Sequence, residues 1–353
     1  MKKERKITRI LSFIFAAVLL VSLIGCASTG GSEKKEEKSG QTSEDGVTIT
    51  LRLAHSNTEN HLGNLLCVHF ADLVKEKSGG RIEIDIYGNK QLGDDAEVIE
   101  QMVSGSLDMV MVSGIVFGNY SDLCTAWQFP FLYDDEDHFE QVSTSDEAKA
   151  IMDALTEVGI QGLANYTSYF RNVCSSGPVN SYEDCKDLKI RTAESEMLLD
   201  AWKAMGFAPT PMAYGEVYTG LQNGVVDATE SDPVGLVNDG YGEVCKYVYE
   251  TKHYPFIFLL AINPGIFQGL SEEDQEILRD AAQETVSYNI EQVKATTDEF
   301  IEKSKDQGVT FVTPTDEEIE HLQELAAPVI QKWCDKDSRI ADYVEYARST
   351  SKR

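Results

Sequence analysis

Leu107-Asp108-Met109-Val110-Met111-Val112 is the run that decides the architecture. It is apolar at all but one position, as expected of a strand buried on both faces of a sheet. Immediately upstream, Gly93-Asp94-Asp95 opens a helix predicted over residues 96–103, where acidic residues suit the positive end of the helix dipole. Further back, residues 81–87 alternate as a strand, and Gly79-Gly80 stops a helix predicted over residues 62–77. That helix carries Leu62, Leu65, Leu66, His69, Phe70, Leu73 and Val74 at helical spacing. Val47, Ile49, Leu51 and Leu53 alternate through a first strand. The order β–α–β–α–β predicts an α/β fold with a mostly parallel sheet.

A similar pattern restarts downstream. Residues 161–169 and 188–191 read as strands, and residues 194–205 as a helix ended by Gly206. Residues 208–212 are extended, 215–224 helical and 225–228 a short buried strand. Two successive α/β units predict two lobes. Residues 253–263 form a long apolar strand expected to cross between them. From Ser271 to Lys305 apolar residues keep helical spacing for about eight to ten turns. Ser271-Glu272-Glu273-Asp274 supplies the cap and the acidic first turn. A helix that long exceeds one lobe and is expected to brace both, leaving a ligand cleft between them.

Length agrees, since 353 residues exceed what one hydrophobic core usually holds. Hydrophobic residues at 42% and charged residues at 25% exclude global disorder. With 31 Lys+Arg against 59 Asp+Glu, the net charge is −28. That excludes a nucleic-acid binder, which needs positive surface to displace counterions, and argues against charge-driven binding to anionic lipid. Taken alone, the charge suggests a cationic ligand or metal.

The first 25 residues read as a secretory signal. Lys2, Lys3, Arg5, Lys6 and Arg9 precede an apolar run from Ile10 to Ile24. Fifteen helical residues span only about 22 Å, short of the roughly 30 Å hydrocarbon core of a bilayer. Leu23-Ile24-Gly25-Cys26 resembles a bacterial lipobox, in which Cys26 is lipidated. Residues 26–46, rich in Ser, Gly, Glu and Lys, read as a flexible tether. Cleavage removes five basic residues and one acid, taking the charge from −28 to −32. The remaining cysteines, at 67, 124, 174, 185, 245 and 334, lack CxxC or metal spacing and read as buried free thiols. The six histidines form no metal motif. GxSxG, Walker A, GxGxxG and EF-hand signatures are missing, so neither metal nor cofactor is expected.

Several stretches carry a family resemblance. Gln91-Leu92-Gly93-Asp94-Asp95, Gly105-Ser106-Leu107-Asp108, Phe129-Pro130-Phe131 and Leu188-Lys189-Ile190-Arg191 are four of them. Pro209-Thr210-Pro211-Met212 with Glu216-Val217-Tyr218, and Leu221-Gln222-Asn223-Gly224-Val225-Val226-Asp227, complete the set. Together they resemble the solute-binding proteins of tripartite ATP-independent periplasmic (TRAP) transporters, the DctP-like family, over about residues 47–340. The resemblance implies a two-lobed periplasmic-binding-protein-like fold. It also implies a lipid-tethered, extracytoplasmic receptor delivering a small organic acid to TRAP membrane subunits. The expected organisation is 47–168 plus about 257–297 for lobe I, and 169–256 plus about 298–353 for lobe II. A monomer is expected.

Arg191 follows a short apolar strand, and strand carboxyl ends face the ligand crevice in open α/β sheets. Its guanidinium fork matches a carboxylate, and the family's ligand arginine falls at this position. By the same resemblance Arg171 is a second arginine near the ligand and Tyr214 a flanking aromatic. Ser231 stands where the family commonly has a carboxylate-binding asparagine and keeps a single hydroxyl instead of the amide. His55 and Ser56 end the first strand and Ser113 the third, facing the ligand's far side. Sialate-type relatives place a glutamate at position 113, which disfavours sialate here. Glu194 either accepts from a ligand hydroxyl or caps the helix it begins. This polar set suits a uronate or other hydroxylated sugar acid ahead of C4-dicarboxylates and keto acids. The competing readings are a lipid-anchored hydrolase of sugars or peptides and a ligand receptor for a sensor kinase.

Overall fold

The computed structural model describes residues 48–352; the signal segment, Cys26 and the tether lie outside the described residues. In chain order the strands are β1 (Ile49–Ala54), β2 (Ile82–Tyr87), β3 (Met109–Ser113), β4 (Gln161–Phe170), β5 (Asn172–Ser175) and β6 (Lys189–Thr192). They continue as β7 (Ala208–Pro211), β8 (Ala228–Ser231), β9 (Tyr247–Tyr249), β10 (Pro255–Ile262) and β11 (Thr310–Val312). Two sheets result, ordered β2-β1-β3-β10-β4 and β11-β9-β5-β8-β6-β7. The deciding run is indeed central: Met109 to Val112 are all buried in β3, between β1 and β10.

The first sheet is parallel only across β2-β1-β3, because β10 runs antiparallel to both β3 and β4. That corrects the mostly parallel sheet expected from the sequence. Apolar runs reveal that a strand is buried but not which way it points. Strand β10 lies wholly within the first sheet, so the passage between sheets is made elsewhere. Strands β4 and β5 belong to different sheets and are separated by Arg171 alone. The return passage, between β9 and β10, is stitched to it. The Arg171 N–H donates to the Tyr254 carbonyl (2.8 Å) and the His253 N–H to the Arg171 carbonyl (3.1 Å). The Lys252 N–H donates to Asn172 Oδ1 (3.0 Å).

The long helix is Glu272–Asp306, capped by Ser271, whose side chain accepts from the Asp274 N–H. Leu278, Ala281 and Ala282 bury against Leu66, Phe70 and Val74 of helix Leu62–Lys77. Each fully buried aliphatic or aromatic side chain there contributes about 1.5–3 kcal/mol. Asn289 clamps β4, accepting from the Thr167 N–H and donating to the Thr167 carbonyl, both at 2.7 Å. Beyond its carboxyl end the chain feeds β11, at the edge of the second sheet. The helix thus packs on β4 of the first sheet and on helix Pro233–Asn238, which follows β8 of the second. All six cysteines among the described residues are buried and free.

Candidate functional site

The second sheet supplies the cations. On β6, Ile190 points into the core while Arg191 is buried towards the crossing, Nε and Nη2 both donating to the Met212 carbonyl (3.0 and 2.8 Å). Both donors converge on one neutral acceptor, so this guanidinium has no carboxylate hydrogen-bonded to it. Burial weakens its hold on a proton, Glu230 offsets that, and the like charge of Arg171 reinforces it. Arg171, 8% exposed, sits at the junction of β4 and β5 with its guanidinium carbon 4.7 Å from the Phe256 ring centroid. Its Nε and Nη1 are buried without a hydrogen-bond partner, and the approach of Nη1 to Glu230 Oε1 stops at 3.5 Å. Buried donors left without a hydrogen-bond partner are costly, and Arg171 is the charged side chain in that state among the described residues.

Glu230 on β8 is the anion between them. Its Oε2 accepts from the Tyr254 hydroxyl (2.5 Å) and lies 3.5 Å from His253 Nε2, while Oε1 accepts from the Thr192 hydroxyl (3.3 Å). Burial alone would raise this carboxyl, but His253, Arg171 and Tyr254 reverse the shift and hold it at about 2. Glu230 therefore acts on both guanidiniums, and Asp232 and Asp239 act on Arg171 as well. Ser231, next on β8, is buried, and its hydroxyl reaches only the Asp232 carbonyl at 3.5 Å. A Cβ on Gly235 would lie 2.3 Å from that hydroxyl, so the glycine lets helix Pro233–Asn238 pack against Ser231. Tyr214 stands at the margin, its hydroxyl donating to Asp239 Oδ2 (2.6 Å).

The first sheet supplies a different set. The His55 ring is committed at both nitrogens: Nδ1 accepts from the Asn57 N–H (3.2 Å), which leaves Nε2 to donate to Asn64 Oδ1 (3.1 Å). Burial lowers its pKa, so the ring is neutral and structural in its bonding. Ser56 donates its hydroxyl to Asp95, whose other carboxylate oxygen accepts the Ser113 N–H (3.3 Å). Asp95 thereby joins the carboxyl ends of β1 and β3; burial raises its carboxyl, and Ser56 and Ser113 partly offset this. The Ser113 hydroxyl makes no capping bond to the short helix it precedes.

Glu194 is exposed and does not cap; the helix runs Glu196–Ala204, and Ser195 accepts from the Leu198 N–H. The helix begins two residues later than the 194–205 expected from the sequence. The structure groups Arg171, Arg191, Ser231 and Tyr214 around the second sheet, and His55, Ser56 and Ser113 around the first. Sequence reading passed over Glu230, His253, Tyr254 and Asp95 as site residues. Glu230 lies beyond the strand expected over residues 225–228, between Thr229 and Ser231, where no local pattern marks it.

Two sheets, joined at stitched crossings where a buried guanidinium keeps donors without a hydrogen-bond partner, make up a two-lobed fold. A profile of the bacterial extracellular solute-binding proteins of family 7, named DctP, matches residues 53–337. The chain belongs to this family, the TRAP-transporter solute-binding proteins. It is 31% identical to the ectoine-binding periplasmic protein TeaA of Halomonas elongata, over 80% of this chain and 84% of that one. It is 30% identical to the 2,3-diketo-L-gulonate-binding periplasmic protein YiaO of Escherichia coli, over 76% and 82%. The crystal structure of a TRAP periplasmic solute-binding protein from Xanthobacter autotrophicus Py2, with bound β-D-galacturonate, superposes with a TM-score of 0.77. It is 26% identical, with 85% of this chain and all of that one covered. Members of the family are binding proteins rather than enzymes, which removes the hydrolase reading. No described helix is long and apolar enough to cross a membrane.

Proposed function

We propose that the protein captures a hydroxylated sugar acid, a uronate foremost, and delivers it to the membrane subunits of a TRAP transporter. The observation that carries this reading is Arg171: buried, with two N–H groups unpaired, beside Arg191, whose hydrogen-bonded partner is a carbonyl. A ligand carboxylate offers the acceptors that Arg171 lacks and a charge to set against two guanidiniums, and such charge-assisted pairs are among the strong hydrogen bonds. Arg191 holds the carboxylate by its free fork edge, Arg171 completes it, and Ser231 adds one hydroxyl. Tyr214 flanks the ligand, and Ser56, Ser113, His55 and Glu194 surround its hydroxyl-bearing end. Relatives that bind 2,3-diketo-L-gulonate and galacturonate support a sugar acid.

Capture proceeds by closure of the lobe built on the first sheet on the lobe built on the second. Ligand contacts made from both sides favour the closed state. The mature protein acts as a monomer outside the cytoplasm, tethered by lipid on Cys26 through residues 26–46. The test is thermal melting with a panel of organic acids. Ligand at 100 times its dissociation constant adds about 2.7 kcal/mol. Galacturonate or glucuronate is expected to stabilise the wild type and not Arg191→Ala; equal stabilisation of both would overturn the reading.

A further inference from the structure

Two tyrosines four residues apart donate to two carboxylates four residues apart. The Tyr214 hydroxyl reaches Asp239 Oδ2 at 2.6 Å, and the Tyr218 hydroxyl reaches Glu243 Oε2 at 2.7 Å. These two rungs fasten the segment following β7 to the segment that precedes β9. The rungs match in chemistry and length but not in surroundings. Arg171 acts electrostatically on both members of the inner rung, and Tyr241 beside it feels Arg191 as well. Tyr218 is influenced by Glu243 alone.

Tyr214 is 56% exposed, an unusual state for a large aromatic side chain at the margin of a charged cluster. Left to itself an exposed phenol ring samples several rotamers, whereas a short bond to a carboxylate confines it. Confined there, the ring offers an apolar face at the margin of the cluster around Arg171. Galacturonate-type ligands have the matching shape: a carboxylate at one end and a flat patch of C–H groups across a six-membered ring.

We infer that Asp239 is a positioning residue for ligand selection, holding the Tyr214 ring where it receives the C–H face of a cyclic sugar acid. The inference rests on the carboxylate reading above and adds the device that separates ring-shaped acids from open-chain ones. Asp239 itself touches Tyr214, not the ligand. Open-chain dicarboxylates use the arginines but present no ring face, so they are indifferent to where Tyr214 stands.

The test uses the full chain and two probes, D-galacturonate and succinate, measured by titration calorimetry. Asp239→Ala is expected to weaken galacturonate by about 10-fold, the scale of one lost ring contact, and to leave succinate within about 2-fold. Asp239→Asn keeps an acceptor oxygen and is expected to recover most of the loss. Glu243→Ala removes the outer rung and is expected to change neither affinity. Equal effects of Asp239→Ala and Glu243→Ala, or an equal loss for both probes, would overturn the inference. An Arg191→Ala variant that still binds galacturonate would overturn the carboxylate reading instead. Fluorine NMR of protein carrying 3-fluorotyrosine decides without any ligand. The Tyr214 resonance, assigned by its loss in Tyr214→Phe, is expected to shift or broaden in Asp239→Ala and not in Glu243→Ala. An unchanged resonance in Asp239→Ala would overturn the positioning role.

Discussion

The two sheets bring opposite hydrogen-bonding states to the region where they meet. On the first, His55 is spent at both ring nitrogens and Ser56 on Asp95, and Asp95 takes the Ser113 N–H as well. On the second, Arg191 has no hydrogen-bonded carboxylate, and at the junction leading into it Arg171 is buried with Nε and Nη1 lacking a hydrogen-bond partner. A set that is complete without ligand holds shape; a set that is incomplete without ligand provides affinity. In the proposed function the charged end of the solute belongs to the second sheet, and the first supplies a preformed wall.

The largest expected effect that probes this contrast is on folding. Glu230→Ala leaves Arg171 and His253 buried without their anion and is expected to cost about 3–5 kcal/mol by denaturant unfolding. Asp95→Ala frees a hydroxyl and one backbone N–H, at about 1–2 kcal/mol. Equal losses would erase the distinction between the halves.

Acid titration sharpens it next, because the two carboxylates pull in opposite directions. The Glu230 carboxyl is depressed from 4.5 to about 2 in the folded protein. Its contribution, on the order of 3 kcal/mol, is present above pH 4.5 and is lost as pH falls towards 2. The Asp95 carboxyl is raised by burial, so its contribution is present in acid and fades as pH rises through its folded value. The stability gap between wild type and Glu230→Gln is expected to narrow as pH falls from about 5 to about 2, while the gap to Asp95→Asn moves the other way. The smallest effect concerns the wall: Ser113→Ala is expected to leave melting unchanged, since only its backbone bonds Asp95, and to weaken a sugar acid by no more than about 10-fold.

Much of this was legible in the residues. The helix predicted over 62–77 is Leu62–Lys77, and the long helix predicted from Ser271 to Lys305 is Glu272–Asp306. Both are long enough for apolar residues to recur at helical spacing over several turns, and both have a side-chain N-cap. The short strands β5, β9 and β11 were passed over, because three or four residues such as Tyr247–Tyr249 do not establish a period. Residues 225–228 read as a strand, whereas β8 is Ala228–Ser231; the apolar Val225 and Val226 drew the reading upstream of the polar strand that carries Glu230. That strand is polar because it lies against the arginines, a fact of tertiary structure with no local pattern. Arg171 and Arg191 are proposed through family resemblance, and the net charge of −28 points away from them. Net charge governs solubility and steering, while a site of two guanidiniums is decided by its own neighbours.

The central claim is that the second sheet binds a carboxylate. It is tested most directly by calorimetric titration with the best-stabilising sugar acid of the melting panel and with its methyl ester, which keeps every hydroxyl and removes the charge. The account predicts that the ester binds at least 100-fold more weakly, about the 3 kcal/mol of a charge-assisted bidentate contact. Equal affinity of acid and ester would contradict it.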